Sequence, residues 1–415
     1  METVELFKGI AIVIDNEVNN QKANIHYILD QINQKNIPFL AYQTLPTDEI
    51  IANFKDLSFL LLDWDLTTDS STSDTIQEGV IFPDTLKKSG TDENINFIKK
   101  LTHICFCPIF IFSNVDINVI INKLEENRIY SKDKPNHIFV KSKSDLTEKM
   151  MLFKEIEKWV RCNPSIYVLK EWENEYQKSK NRMFVEFQKL SPVWPKIMWK
   201  TYGDDGANNS LELGELITRN LHTRMTPFEF SDEILSLKEE IIDRIELCRV
   251  LEGERFLLNT NLHNDNIAPG DVFKVSSCYY VNIRAACDLF PDRNKKDDNL
   301  DDVQLYLLKG FALSEKQVNH KFSEKYGHFD EHDNQVIIFP ILDGKTIDFQ
   351  FKNLEIMKWA ELRDKRIGRV LPPYITRIQQ KYAQYIQRQG LPRTPREAVV
   401  SLCDEPRTMP ETTIP

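Results

Sequence analysis

Four short polar groups in the first third of the chain each follow an apolar run. They are Asp15-Asn16-Glu17, Asp63-Trp64-Asp65, Ser113-Asn114 and Lys141-Ser142. Clustered carboxylates suit Mg²⁺, which takes one or two carboxylates together with waters and phosphate oxygens. A carboxylate can also act as a nucleophile that forms an acyl phosphate, while lysine pairs with phosphate and a serine hydroxyl hydrogen-bonds a phosphoryl oxygen. These residue types therefore predict phosphoryl transfer, in which positioning and electrostatics provide most of the catalysis.

The elements that must position these residues are buried strands that alternate with helices. The apolar runs span residues 9–15, 57–66, 104–114 and 136–142, with a further strand expected at 37–43. The runs are apolar throughout, which is typical of parallel strands covered on both faces. Helices are expected between them, at residues 22–35, 92–102, 117–127 and 145–160. The pattern predicts an α/β fold with a doubly wound, five-stranded parallel sheet, whose ligands bind at the carboxyl ends of the strands.

The same polar groups carry a resemblance to a known family. The segments VIDNE, LLLDWDL, PIFIFSN and FVKS resemble, in order and spacing, the four signature segments of receiver domains in two-component response regulators. The resemblance implies a flavodoxin-like receiver domain over residues 1–161 that takes a phosphoryl group from a histidine kinase, with Mg²⁺ as cofactor. It implies that Asp63 is the phosphoacceptor.

The resemblance also implies roles for the other residues of the four segments. Asp15, Asn16, Glu17, Asp63 and Asp65 would hold the metal, Ser113 would be the switch hydroxyl, and Lys141 would pair with the phosphate. Three positions depart from the family pattern: Asn16 replaces the second acid, which Glu17 would have to supply, Ile138 replaces an aromatic residue, and Ser142 replaces a proline. The resemblance also places Asp65 and Val115 at the two positions that modulate hydrolysis in this family. An apolar Val115 should hinder an attacking water, which predicts a long-lived phospho-Asp63.

The rest of the chain is expected to divide further. Residues 67–91 form a long polar insertion after the third strand, of the kind that is functional or simply tolerated at the surface. The X-Pro step at residues 163–164 predicts a boundary, followed by a helical interaction region at 165–252. Short strands with polar turns predict a small β-rich domain, a barrel or curled sheet with a terminal helix, at 253–395. The tail, 396–415, has the composition of a disordered segment.

Composition restricts the class of protein. The net charge of −10 argues against a general nucleic-acid or membrane-surface binder, and no run approaches the ~20 apolar residues of a membrane span. Seven scattered cysteines, with no leader sequence, favour reduced thiols and a cytoplasmic location. A basic stretch at 352–396 is interpreted as a solvated face that pairs with acidic residues. A nucleic-acid patch is the alternative.

The whole layout is similar to the non-effector receiver protein of Detocs-type bacterial anti-phage systems. That resemblance implies a phosphate sink or buffer rather than an enzyme, with a histidine kinase, a second receiver effector and a further copy of itself as partners. Two other functions remain open. The C-terminal half could be a nucleic-acid-binding or RNase-type output domain, or the receiver fold could serve as a scaffold that is not phosphorylated.

Overall fold

The computed structural model describes residues 3–66, 84–148, 151–204, 208–236, 242–289, 299–331, 335–389 and 395. The chain divides into two compact units, Met1–Lys238 and Glu239–Pro415. The expected disordered tail and most of the expected insertion lie outside the described residues. In the described part of the chain, no helix is both long and apolar enough to cross a membrane.

The first unit is built on a five-stranded parallel sheet. Its strands are β1 (Ile10–Ile14), β2 (Phe39–Tyr42), β3 (Leu57–Leu62), β4 (Ile109–Ser113) and β5 (Ile138–Ser142). They lie in the order β2-β1-β3-β4-β5, and every pair is parallel. The predicted α/β architecture with a parallel sheet is therefore confirmed.

Alternate residues of each central strand enter two different hydrophobic cores. In β1, Ala11 and Val13 join one core, whereas Ile12 and Ile14 join the other. The same alternation continues through β3 and β4, whose residues are buried without exception. Successive side chains of a strand point to opposite faces, so a strand covered on both faces is apolar at nearly every position. Buried Ser58 in β3 is an exception, and its hydroxyl donates to the Phe7 carbonyl at 2.8 Å.

The described residues of the first unit form ten α-helices. They are α1 (Thr3–Leu6), α2 (Asn24–Gln34), α3 (Asp48–Ile51), α4 (Asp84–Ile104), α5 (Ile117–Glu126), α6 (Met151–Arg161), α7 (Pro164–Leu190), α8 (Trp194–Asp204), α9 (Asn209–Met225) and α10 (Asp232–Leu235). Helices α2 and α6 contribute to the first core, and α4 and α5 contribute to the second. The backbone of residues 84–91, expected to belong to the polar insertion, is part of α4.

Helix α7 packs against the sheet of the first unit. Its Tyr167 is fully buried in the first core, and Lys170 Nζ donates a hydrogen bond to the carbonyl of Leu57 at 2.8 Å. Helices α8 and α9 pack on the later part of α7 around Met183 and Trp194. The expected boundaries at 161 and 252 thus differ from the observed division between residues 238 and 239.

The second unit contains a seven-stranded antiparallel sheet. Its strands are β6 (Phe256–Leu258), β7 (Asp271–Val275), β8 (Cys278–Asn282), β9 (Gln304–Ala312), β12 (Val336–Leu342), β13 (Lys345–Lys358) and β14 (Arg366–Val370), and a separate hairpin is formed by β10 (Phe322–Ser323) and β11 (His328–Phe329). The order is β12-β13-β9-β8-β7-β14-β6. Gly368 lies where β14 passes between β6 and β7, and a Cβ there would meet the Leu257 carbonyl oxygen at 2.3 Å. The prediction of a β-rich C-terminal region is confirmed.

The second unit also contains helices, and six basic residues of the stretch 352–396 form ion pairs. The helices are α11 (Arg244–Arg255), α12 (Glu315–Lys321), α13 (Trp359–Leu362) and α14 (Tyr374–Gln387). The ion pairs are Lys358–Asp302, Arg363–Asp301, Arg366–Asp271, Arg369–Asp271, Arg377–Glu331 and Lys381–Glu331. The pairing with acidic residues agrees with the interpretation of the basic stretch, but the expected solvated helix face does not hold throughout, because Arg366 and Arg369 lie on strand β14 and pair with the fully buried Asp271.

Candidate functional site

Three of the predicted site residues meet at the carboxyl edge of the parallel sheet. Asp15 follows β1, Asp63 follows β3, and Ser113 is the last residue of β4. The backbone ladder continues past the strand ends, because the Asp63 amide donates to the carbonyl of Ile14 at 2.8 Å and the Asp15 amide donates to that of Tyr42 at 2.9 Å. The neighbouring strands therefore hold the two carboxylates side by side.

A buried lysine joins these two carboxylates. Lys143 Nζ lies 2.5 Å from Asp63 Oδ2 and 2.7 Å from Asp15 Oδ2. The side chains of Lys143 and Asp15 are fully buried, and that of Asp63 is 6% exposed. One ammonium thus faces two carboxylates and balances the charge of only one of them. With both carboxylates ionised, the buried group carries a net charge of about −1, which is costly in a low-dielectric interior.

The lysine expected from the sequence lies elsewhere. Lys141 Nζ pairs with Glu155 Oε2 of α6 at 2.8 Å, and its side chain is 28% exposed. Lys141 lies two residues after Phe139, on the strand face that packs against the first core and α6. The assignment of Lys141 to the site is therefore corrected: Lys143 occupies the position next to Asp63.

A buried glutamine fixes the turn that carries Lys143. This turn is a short 3₁₀ segment over Lys143–Leu146. Gln31 of α2 donates from Nε2 to the Leu146 carbonyl at 2.9 Å, and its Oε1 accepts from the Leu152 amide of α6 at 3.0 Å. Gln31 is only 5% exposed, so both hydrogen bonds lie away from water. No pattern in the sequence indicates this role, because Gln31 falls on an amphipathic helix far from the polar groups.

The remaining contacts of Asp63 fix its carboxylate. Ser113 Oγ donates to Asp63 Oδ1 at 2.7 Å, and the Asp65 amide donates to the same oxygen at 3.2 Å. The loop that follows β3 is hydrogen-bonded to α4, since buried Asn94 donates from Nδ2 to the Trp64 carbonyl at 2.7 Å. Each oxygen of Asp63 therefore has a defined partner: Ser113 and a backbone amide on one side, and Lys143 on the other.

Burial and charge shift the protonation of the central pair. Burial raises the pKa of Asp63, the nearby Asp15 adds to the rise, and Lys143 and Ser113 offset it only in part. For Lys143, burial works to lower the pKa, but Asp63 and Asp15 together outweigh it and the pKa is raised. Lys143 is consequently protonated at neutral pH, and Asp63 is more easily protonated than an ordinary aspartate.

An open cleft of about 280 Å³ lies over Asp63. It is lined by Asn16, Glu17, Asp63, Asp65, Ser113, Asn114 and Val115. Asp15 does not line it, because its side chain is buried below and paired with Lys143, while its Oδ1 accepts from the Glu17 amide at 2.8 Å. The cleft brings the predicted acceptor together with the predicted Asn16, Glu17, Asp65 and Ser113.

The donor atoms of the cleft are compatible with Mg²⁺. Across the described residues, no group of three or more His, Cys, Asp or Glu side chains is arranged as a metal site. Mg²⁺ needs only one or two carboxylates and otherwise keeps its waters. Asp63 supplies a carboxylate at the cleft, Asn16 and Asp65 add further oxygens, and the net negative charge beneath favours a cation.

The comparisons with known proteins add no family to this geometry. A scan against protein-family models gave no match for this chain, and a search of the curated proteins gave none either.

Proposed function

We propose that the first unit is a receiver domain and that Asp63 accepts a phosphoryl group from a phosphohistidine of a histidine kinase. The observation that carries the proposal is the environment of Asp63. Its carboxylate opens onto a cleft, and its two oxygens are held by the buried Lys143 ammonium and the Ser113 hydroxyl. The strand order β2-β1-β3-β4-β5 supports the proposal as well, since it is the flavodoxin-like order with a ligand site at the strand carboxyl ends.

The residues of the site suit the chemistry of this transfer. An oxygen of Asp63 attacks phosphorus, the P–N bond to the donor imidazole breaks, and its electron pair returns to the nitrogen. Ser113 and Lys143 orient the carboxylate before the transfer, and afterwards the ammonium lies where it can pair with the phosphoryl oxygens. Mg²⁺, held by Asp63, Asp65 and Asn16, would supply charge neutralisation to the phosphoryl group.

The position of Lys143 also changes how the family pattern fits the chain. With Lys143 as the phosphate-pairing lysine, the residue three before it is Val140 and the residue after it is Ser144. Neither is the aromatic residue or the proline of the family pattern. We therefore propose that Ser113 responds to phosphorylation without a partner aromatic ring at that strand position.

The partner and the biological role rest on the resemblance. We propose a cytoplasmic phosphate sink that takes phosphoryl groups from a kinase and so buffers a separate receiver effector in an anti-phage system. A sink needs a stable phosphorylated form. Val115 lines the cleft beside Ser113, and its apolar side chain is expected to impede the attacking water. Loss of the label within seconds of donor removal, in Mg²⁺ buffer, would contradict a sink.

The test is phosphorylation of the full chain with two small donors. Acetyl phosphate and phosphoramidate, each with Mg²⁺, offer an O–P and an N–P bond. We expect one phosphoryl increment by intact mass, removed by hydroxylamine, as expected for an acyl phosphate. It should be absent in Asp63→Asn and strongly reduced in Lys143→Met.

The chain offers a matched control in Lys141→Met, which removes the neighbouring lysine and should leave phosphorylation close to wild type. No increment in the wild-type protein with either donor, in a sample shown to be folded, would refute phosphoacceptor function and favour the scaffold alternative. An increment that persists in Asp63→Asn would place the chemistry at another residue.

A further inference from the structure

Two cysteines lie at the edge of the sheet opposite to Asp63. Cys105 and Cys107 belong to the loop that joins α4 to β4, at the amino ends of the parallel strands. Cys107 is 1% exposed, while Cys105 is half-buried. Neither thiol takes part in the proposed phosphoryl transfer.

The sulfur of Cys105 is surrounded by groups that stabilise a thiolate. The Cys107 thiol and the Leu57 backbone both lower its pKa, and the nearby Lys170 ammonium lowers it further. Lys170 is fixed in place, since its Nζ donates to the Leu57 carbonyl and to Glu173 Oε2, both at 2.8 Å, with a side chain only 2% exposed. Glu173 opposes the thiolate but is the weaker influence.

We propose that Cys105 and Cys107 form a reversible dithiol–disulfide pair, in which Cys105 is the attacking sulfur and Cys107 is the resolving sulfur. The one-residue spacing of the two cysteines and the difference in their exposure carry the assignment. Cys105 is half-buried and can meet an oxidant, whereas Cys107 is 1% exposed and is placed to act on the sulfur of its neighbour. This is the division expected of attacking and resolving cysteines.

The protonation of the two thiols agrees with this division. The neighbouring Cys107 thiol lowers the pKa of Cys105 to about 6. The neighbouring Cys105, together with burial, raises the pKa of Cys107 well above its ordinary value. At neutral pH the pair therefore carries one proton, which sits on the buried sulfur.

The exchange balances with a small disulfide as the oxidant. The Cys105 thiolate attacks one sulfur of the oxidant, whose S–S bond breaks and releases the first thiolate. Cys107 then loses its proton and attacks the Cys105 sulfur of the mixed disulfide, which releases the second. Two protein thiols are oxidised to one disulfide, and one small disulfide is reduced to two thiols.

The short spacing makes this disulfide easy to reduce. One residue separates the cysteines, and a fully extended chain would place their Cα atoms about 6.6–7.2 Å apart, at or beyond the upper limit for a relaxed disulfide. The oxidised loop must therefore bend, and a strained disulfide is more oxidising than a structural one. The pair is thus suited to exchange with other thiols rather than to stapling the fold.

The experiment oxidises the full wild-type chain with oxidised glutathione and maps the products by peptide mass. We expect a peptide that contains Cys105 and Cys107 to lose two hydrogens without retaining glutathione, and to regain them with a dithiol reductant. A lasting glutathione adduct on Cys105 in the wild type, or no change at either cysteine, would overturn the proposal.

Two variants and one rate sharpen the test. Cys107→Ala should trap a stable glutathione adduct at Cys105, whereas the exposed-cysteine control Cys162→Ser should behave as wild type. At about pH 6.5, roughly 0.76 of Cys105 should be thiolate, compared with roughly 0.01 of an ordinary peptide thiol. A more acidic thiol is also less nucleophilic. The two effects together predict that Cys105 is alkylated about sixfold faster than the ordinary thiol. A rate no faster than that thiol would overturn the role of Cys105 as the attacking sulfur, and this measurement needs no variant that must fold.

Discussion

Removal of the ammonium that bridges Asp15 and Asp63 should be strongly destabilising. Lys143→Met keeps most of the side-chain volume but leaves two buried carboxylates without a counter-charge. Removing one partner of a buried ion pair typically costs about 3–5 kcal/mol, because the remaining charge is left uncompensated. We expect the free energy of unfolding of the first unit to fall by about this amount at neutral pH.

The matched control is Lys141→Met, two residues away in the same chain segment. Lys141 is partly exposed, and Glu155 keeps a second partner in Lys158, at 2.6 Å. An exposed ion pair is worth about 0–1 kcal/mol, so this variant should unfold nearly as the wild type does. Urea unfolding followed by tryptophan fluorescence suits the comparison, because five of the six tryptophans lie in the first unit.

The origin of the loss can be separated from simple loss of packing. In Lys143→Met the folded-state pKa of Asp63 should rise further above its unfolded value, because the lysine no longer offsets the effects of burial and of Asp15. The loss of stability is then complete at pH values above the folded-state pKa and disappears as the pH falls to the unfolded-state pKa. Adding Asp63→Asn should recover a large part of the loss, since it removes one of the two stranded charges. If Lys143→Met and Lys141→Met differ by less than about 1 kcal/mol at neutral pH, the buried bridge is refuted.

Three further changes test the two units. Asp63→Asn should raise the melting temperature, and by more at neutral than at acid pH. The pKa of Asp63 is raised in the folded state, so its ionisation destabilises the fold as the pH rises from the unfolded-state pKa of 3.8 towards the folded-state pKa. An equal rise in melting temperature at both pH values would contradict this. Gln31→Ala should cost about 1–3 kcal/mol for each buried backbone group it leaves unpaired and should slow phosphorylation. Gln31→Glu should rescue neither property, because its carboxylate would be buried against the Leu146 carbonyl oxygen; rescue in the same assays would contradict the donor role of Gln31. In the second unit, Gly368→Ala should cost about 1–3 kcal/mol by overpacking β14 against β6. Its control is Gly253→Ala in α11, which has open space around it and should be neutral or stabilising by up to ~1 kcal/mol. Calorimetry that finds Gly368→Ala the more stable of the two would contradict the described packing.

The sheet of the first unit was predictable because burial on both faces leaves an unbroken apolar pattern in the sequence. The membership of α7 was not predictable in the same way. Its amphipathic pattern shows that one face is covered but not by which part of the chain, and only the structure shows Tyr167 in the first core. Lys170 is a similar case, since lysines are rarely fully buried. Nothing in its sequence context indicates that its ammonium binds the Leu57 carbonyl at the amino end of β3, near the two thiols.

The error over the site lysine has a definite physical cause. Asp15, Asp63 and Lys143 each occupy the first position after their own strand, where a side chain is no longer committed to one face of the sheet. Lys141 lies inside β5, and the alternation of the strand directs it to α6 and Glu155. The rule that charged site residues follow the strand end would have selected Lys143. Its use requires that the last residue of β5 be known without error. Strand ends read from an apolar pattern are uncertain by one or two positions, and two lysines spaced by two residues fall within that uncertainty. The choice between them therefore depends on contacts from other strands, which lie about 80 and 130 residues away in the chain and leave no local trace in the sequence.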